Sequence, residues 1–342
     1  MAPIRLRHIH IPSSSADGRF PNYKTAAAVQ ELLRRRLLDF KDAEAVSSHT
    51  RRAPNPTLIS FTPQPTYTLG RRQASQSSSL STSDIARLKA PLHIPSHSKD
   101  LPALGNVPLK DDNATPDDRF IFNPTVLTSP RGGLATYHGP GQVVLWPVMA
   151  INSPTPSSLG YKPFTVRCYS RLLESTTIAL LRRLFGLSAF TTEDPGVWVG
   201  EGPQVRKIAA LGIHLRRHVS SLGAAVNLDM PIIQGGCGGG GGGGGGSPRV
   251  EDEQVNPWAR FVACGLEGKG VTCVEQELRT AGEKGVGGIE GEIVARAWAE
   301  ELAVRMELDP RSVEFVKQDE VDEIIGLAER EGWVDVVARD AV

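Results

Sequence analysis

The stretch that most limits the fold lies between residues 196 and 228. Three short apolar runs follow one another there: GVWVG at 196–200, KIAALGIHL at 207–215 and VSSLGAAVNL at 219–228. Runs of this length, broken by glycine, read as successive strands. Two longer segments carry the other period. Residues 23–41 place Ala27, Leu32 or Leu33, and Leu37 at helical spacing. Residues 164–187 carry a stripe of Val166, Leu172, Leu173, Leu180, Leu181 and Leu184, which Gly186 can end. Residues 3–11 read as a first strand, 57–69 as strand-like chain turned by two prolines, and 131–151 as an apolar stretch. A further helix is expected over 292–307 and an acidic helical or mixed tail over 311–337. Strands alternating with helices predict an α/β domain.

Two stretches do not fit that pattern. Residues 73–130 are rich in Ser, Pro and Asp, with SQSSSLSTS at 75–83, and are expected to form a long inserted loop. Residues 235–246 are almost pure glycine. Glycine has no side chain to pack and loses much entropy on ordering, so a linker or insertion around 234–255 is expected. It is not a phosphate loop, which needs a few glycines at set positions with a lysine before a helix.

The 342 residues are ample for a buried core, and 40% hydrophobic with 22% charged content describes a globular chain. No run of about eighteen apolar residues is present, so no membrane-spanning helix is expected. Net charge is zero but uneven. Residues 1–72 carry twelve Lys/Arg against five Asp/Glu, and residues 288–342 carry six against fifteen. The early part can offer a basic face to an acidic partner, or the two segments can be solvated faces of opposite sign. Nothing in the pattern points to nucleic acid. The N-terminus has no acid before Asp17 and contains Arg5, Arg7 and three serines, as presequences do. Its alternation of Ile4, Leu6, His8 and His10 with Arg5, Arg7, Ile9 and Ile11 also reads as a strand.

Four cysteines, Cys168, Cys237, Cys264 and Cys273, form no CxxC pair and no zinc spacing. So few in so long a chain suit a reducing compartment. Each is then a small core residue or a reactive thiol. Cys168 falls within a helix, Cys237 within the glycine tract and Cys273 where the chain enters a helix. Cys264, in RFVACGL, ends an apolar run before a glycine. A free thiol with a pKa of roughly 8.5 is mostly protonated at neutral pH, and a nearby amine raises its thiolate fraction.

Two other stretches can carry chemistry. In Arg131-Gly132-Gly133 followed by Thr136-Tyr137-His138-Gly139-Pro140-Gly141-Gln142, the glycines let backbone N–H groups approach a ligand. The same residues also suit tight turns beside a strand. In Arg206-Lys207-Ile208-Ala209-Ala210-Leu211-Gly212, a lysine opens an apolar strand. Burial disfavours the charged form, so such a lysine can exchange protons near neutral pH. It can equally be an edge lysine reaching to water.

Together, RGGLATYHGPGQ, GVWVGEGPQVRKIAALGIH and RFVACGLEGKGVTCVEQEL closely resemble the octanoyltransferase family of lipoate biosynthesis. Tyr23 with Gln30, and Pro65-Thr66-Tyr67-Thr68-Leu69-Gly70-Arg71, resemble its first helix and its PVYTxGR strand. The match covers roughly residues 1–72 and 130–305. It implies a single α/β domain, a mixed β-sheet with packed helices, similar to the catalytic domains of biotin- and lipoate-protein ligases. That domain would span 1–309, with 310–342 an acidic C-terminal extension. It implies octanoyl or lipoyl transfer from an acyl carrier protein thioester to a lysine of lipoyl domains. These acceptors belong to 2-oxoacid dehydrogenases and the glycine cleavage H protein. It further implies Cys264 as nucleophile and Lys207 as its acid/base partner. Arg131, Gly132, Gly133, Tyr137, His138, Gly141, Ala209, Ala210, Gly212, Gly223 and Ala225 would be substrate-binding residues. No cofactor or metal is implied, because the thioester carries the activation. A monomer and a mitochondrial location are implied as well.

The chain departs from the family pattern at two places. Ala263 stands where the family usually has proline, and Leu222 where it often has a histidine before Gly223. These departures favour one alternative, a non-catalytic relative that binds acylated carriers. A second is an ATP-dependent lipoate- or biotin-protein ligase, but no nucleotide-binding loop of the GRGRxG kind is present.

Overall fold

The computed structural model describes residues 4–13, 20–46, 52–73, 80–94, 121–153, 155–230, 250–261, 270–283 and 290–333. The elements run in chain order from β1 (Arg7–Ile11), α1 (Tyr23–Val46), β2 (Thr57–Phe61), β3 (Thr66–Leu69) and α2 (Thr82–Lys89) to β4 (Leu92–His93), β5 (Ile121–Phe122), β6 (Thr125–Thr128), β7 (Ala135–His138) and β8 (Gln142–Val148). Then come α3 (Val166–Phe185), β9 (Val197–Val199), β10 (Arg206–Arg216), β11 (Val219–Asn227) and α4 (Val250–Val255). β12 (Gly270–Val271), α5 (Val274–Thr280), α6 (Gly291–Arg305), β13 (Glu314–Phe315) and α7 (Gln318–Arg330) complete the described chain.

The main sheet is mixed, in the order β12-β10-β11-β8-β2-β1-β13, with β9 on the β10 edge. β1 pairs parallel with β2 and β13, and β10 parallel with β12. The pairings β2–β8, β8–β11 and β10–β11 are antiparallel. The strand β8 is buried along its whole length because both faces of the sheet are covered there. A smaller sheet, β6-β3-β7, stands beside it.

The two predicted long helices form because each has a buried stripe and a defined end. In α1, Ala27, Leu32, Leu33 and Leu37 are all buried. α3 starts at Thr165, whose hydroxyl accepts from the Cys168 N–H, and ends at Gly186 in the left-handed region at φ 67°. Leu172, Leu173, Leu180 and Leu181 are buried, but Val166 and Leu184, expected on the same stripe, are exposed. α6 joins α3 through the Trp298 indole N–H, which donates to Thr177 Oγ1 at 3.0 Å.

Two expectations need correction. The 73–130 stretch is not wholly loop. Ser81 and Asp84 form a capping box that starts α2 inside the serine-rich run. Leu88, Leu92, Ile94 and Val126 are buried in a second core cluster with Tyr67, Tyr137, Trp198 and Trp258. A few apolar residues spaced along a polar stretch suffice when each lands on one cluster. Within 234–255, residues 250–255 are helical as α4. The first strand expected over 3–11 is present as Arg7–Ile11, with neighbours on both sides.

Candidate active site

The antiparallel register of β10 and β11 sets small residues opposite one another: Gly212 faces Gly223 and Ala210 faces Ala225. Residues two apart on a strand share a face, so the four form one shallow floor. Gly223 is required for close approach, since a Cβ there would lie 2.2 Å from the Leu145 carbonyl oxygen. At Gly212 a Cβ would lie 2.8 Å from Arg131 Cδ, so this glycine makes room for the Arg131 stem. Over this floor opens a cavity of about 920 Å³, where the main core meets the second cluster. Tyr23, Trp146, Leu222, Trp258 and Val271 give it apolar walls, and Lys207, His138, Asn227 and Asp194 give it polar ones.

Lys207 is 9% exposed. It stands on β10 between Trp198 of β9 and Val271 of β12. A residue directly opposite on a neighbouring strand shares its face, and Lys207 Nζ accordingly lies 4.5 Å from the centre of the Trp198 ring. The face of an indole attracts a cation, which offsets part of the cost of burying one. A bulge between Lys207 and Ala209 shifts the register beside the site. Gly196, at φ 132°, packs on the lysine stem, and its N–H donates to Glu174 Oε1 at 3.3 Å. Burial raises the Glu174 pKa above the usual carboxylate range.

His138 stacks on Tyr23 with ring centres 5.6 Å apart and planes at 29°. Its Nδ1 lies 2.8 Å from Gln142 Oε1, Gln142 Nε2 donates to Asn227 Oδ1 at 2.8 Å, and Asn227 Nδ2 donates to the Thr272 carbonyl at 2.9 Å. Thr272 also donates its backbone N–H to the Lys207 carbonyl at 3.0 Å. Its hydroxyl donates to Glu277, which holds Arg206 at 2.9 Å. One residue thus ties the histidine chain to the lysine strand. Burial pushes the His138 pKa down to about 4, the Gln142 hydrogen bond opposing and the Arg131 charge adding to it.

Of the residues singled out in the sequence, Arg131, Gly132, Gly133, His138, Lys207, Ala210, Gly212, Gly223 and Ala225 line the cavity. Tyr137, Gly141 and Ala209 are placed off its lining. Tyr137 alternates with His138 on β7 and is buried in the second cluster against Tyr67 and Trp258. Gly141, at φ 81°, lets the chain pass the Asp229 carbonyl, and Ala209 is buried in the main core. Arg131 is turned to its own frame. Its guanidinium donates to the carbonyls of Thr68 at 2.5 Å, Leu134 at 2.7 Å and Gly132 at 3.1 Å. Leu222 lines the cavity in the left-handed region at φ 62°, a conformation that costs on the order of 1 kcal/mol for a residue with a side chain.

Cys264, Cys237 and Ala263 lie outside the described residues. Of the other two cysteines, Cys168 is exposed on α3, and burial pushes the Cys273 thiol up to about 11. Cys273 is therefore a poor nucleophile. Trp258 and Val271, which flank the Cys264 stretch in sequence on either side, both line the cavity. Trp198, Asn227 and Thr272 were not singled out by sequence. Trp198 stands in GVWVG and Asn227 in the Ala-x-Asn run, whereas Thr272 acts through its backbone and leaves no residue-type signal.

A family model described as the lipoyl protein ligase A/B catalytic domain matches residues 123–234. The probable octanoyltransferase of Schizosaccharomyces pombe is 30% identical over 220 residues, covering 64% of this chain and 75% of that one. The chain belongs to the octanoyltransferase family. Other relatives are shared less completely. The mitochondrial octanoyltransferase of Saccharomyces cerevisiae is 27% identical over 59% of this chain. A mitochondrial octanoyl-acyl-carrier-protein:protein N-octanoyltransferase of Danio rerio is 36% identical over 43%. The chain spans 57% and 50% of those two relatives, roughly half their length. Among solved structures, a lipoate-protein ligase A bound with ATP aligns over 98% of this chain and 95% of its own. Its TM-score is 0.50 at 12% identity, a likeness of fold. This octanoyltransferase-family chain therefore has the mixed-sheet α/β domain that its motifs imply.

Proposed function

We propose that the chain transfers an octanoyl or lipoyl group from a carrier-protein thioester to a lysine of lipoyl domains, through an acyl-enzyme on Cys264. The observation that carries this reading is the buried Lys207. It stands at the wall of an apolar cavity with a small-residue floor, beside the strand that follows the Cys264 stretch. Both flanks of that stretch border the cavity, which supports bringing thiol and amine together there. The relatives' names support the acyl group, the carrier donor and a mitochondrial location.

The chemistry follows from the groups. Lys207, as the neutral amine, takes the proton of the Cys264 thiol. The thiolate adds to the thioester carbonyl, the bond to the carrier sulfur breaks, and Lys207 returns the proton to that sulfur. In the second step the acceptor amine adds to the acyl-enzyme, a C–N bond forms and the bond to Cys264 breaks. The amine's proton passes through Lys207 to the Cys264 sulfur. The edge of β10 opposite β11 has no described strand beyond Ala209, so the backbone N–H groups within 210–212 that alternate to that edge are candidates to hold the developing oxyanion. Activation resides in the thioester, so the reading requires no nucleotide.

Turnover tests this directly, with an octanoylated carrier protein as donor and a lipoyl domain as acceptor. Cys264→Ser and Lys207→Ala are expected to lose several orders of magnitude in kcat/KM with folding retained. Full activity of Cys264→Ala, or transfer that requires ATP and releases AMP, overturns the reading.

A further inference from the structure

The polar chain at the cavity wall can be assigned from one fixed point. The Thr272 carbonyl can only accept, so the Asn227 atom 2.9 Å from it is the amide nitrogen. Asn227 Oδ1 then faces Gln142 at 2.8 Å, and Gln142 turns its amide nitrogen there. Gln142 Oε1 is left for His138 Nδ1 at 2.8 Å, so that nitrogen carries the hydrogen. Every group in the chain has one available orientation.

The imidazole is buried, at 7% exposure, with its second nitrogen uncommitted. His138 lines the cavity, and its Nε2 has no hydrogen bond among the described residues and is not a sealed, unpartnered atom. Tyr23 from α1 stacks on the ring, Gln142 from β8 bonds its Nδ1, and the charge of Arg131, from the turn before β7, acts on it. None is a carboxylate, and burial and the Arg131 charge both oppose a second proton. The ring therefore offers a lone pair to a cavity whose other charged lining groups are Lys207, Arg131, Arg72 and Arg167, with Asp194 as the one carboxylate among the described residues. Such a lone pair suits a donor and repels an anion.

We propose that His138, held as the Nδ1–H tautomer by Gln142, Asn227 and the Thr272 carbonyl, accepts at Nε2 a hydrogen bond from the amine that attacks the acyl-enzyme. This rests on the transfer reading above. One N–H of the neutral amine bonds to Nε2, which fixes the direction of the nitrogen lone pair that attacks. His138 takes no proton in this role, and Lys207 remains the base. Gln142 and Asn227 are positioning residues. Because Thr272 also binds the Lys207 carbonyl, the acceptor for the amine and the base share one anchor.

Gln142→Glu tests the assignment in the full chain. A carboxylate against Nδ1 favours the imidazolium, whose Nε2 carries a hydrogen and cannot accept. The two half-reactions are followed by intact mass: loading from an octanoyl carrier protein, and discharge by a lipoyl domain. Discharge at pH 7 is expected to fall at least tenfold relative to loading, and to recover as pH rises past the raised pKa of the ring. An equal loss in both half-reactions overturns the proposal. A second measurement needs no folded Gln142 variant. Nitrogen-15 histidine spectra of the wild-type protein, with His138 assigned by its loss in His138→Asn, are expected to show a neutral ring protonated at Nδ1 down to about pH 5. An Nε2-protonated ring, or titration near 6.5, overturns it. A wild-type chain that forms no acyl-enzyme overturns the transfer reading and the amine's place with it, and the spectra then still decide the tautomer.

Discussion

A methyl group added at position 223 would stand 2.2 Å from a backbone oxygen, and one at 212 would stand 2.8 Å from a side-chain carbon. Backbone in mid-sheet cannot give way, whereas the Arg131 stem can shift. Gly223→Ala is therefore expected to lose about 2–3 kcal/mol of stability, read as a lowered denaturant midpoint. Gly212→Ala is expected to lose less than half of that and to act mainly by raising KM. Equal losses at the two positions would contradict the description of the floor. The Lys207–Trp198 contact is open to a similar comparison. Lys207→Arg sets a permanent charge over the indole and cannot serve as the neutral base, so it is expected to fold normally and to be as inactive as Lys207→Ala. Substantial activity in Lys207→Arg would remove the proton-transfer role.

Local sequence pattern was enough to locate β9, β10, β11, α1, α3 and α6, although Val166 and Leu184 fall off the α3 stripe. It failed where burial is decided at long range. Leu88, Leu92 and Val126 look like stray apolar residues in a polar stretch until β3 and β7 supply the cluster they fill. The site divides in the same way. Lys207, His138 and the small residues of β10 and β11 stood out as motif residues that line the cavity, but the alternation of β7 sends Tyr137 to its far side. The Thr272 carbonyl could not be found from residue types at all. Arg131 shows how an element is stabilised by a residue that a motif assigns to substrate. Its planar fork reaches carbonyls of Thr68 and Leu134 that a single ammonium cannot hold together. Arg131→Lys is expected to cost about 2 kcal/mol of stability, read by thermal unfolding. A variant of unchanged stability would place the guanidinium's role in the cavity instead.

Across the whole molecule, the basic beginning and the acidic end meet each other. Arg7 on β1 contacts Glu314 at 3.0 Å and Glu320 at 2.5 Å, and the Arg35 guanidinium lies 5.4 Å from the Trp333 ring centre. The segment after residue 309 thus completes one sheet edge through β13. Beside it, His8 and His10 share the Ser60 hydroxyl at 2.7 and 2.8 Å. Burial, with the charges of His10 and Arg296 adding to it, lowers His8 to about 3, and burial lowers His10 to about 4 with Glu292 opposing and Arg296 adding. A lowered folded-state pKa means that the unfolded chain binds protons first. Their contribution is therefore complete above about pH 6.5 and is lost as pH falls toward 4. Thermal midpoints should fall over that window by an amount worth a few kcal/mol, and His8→Gln should flatten the fall. A midpoint constant from pH 7 to 4.5 would contradict this. In the proposed transfer a single thiol takes the acyl group, and no acceptor is needed to find it. The protein is mixed with octanoylated carrier protein, weighed intact and mapped by peptide. One hydroxylamine-labile octanoyl group on Cys264 is the predicted result. No adduct, or one on the exposed Cys168 in place of Cys264, would rule out Cys264 as the acyl carrier.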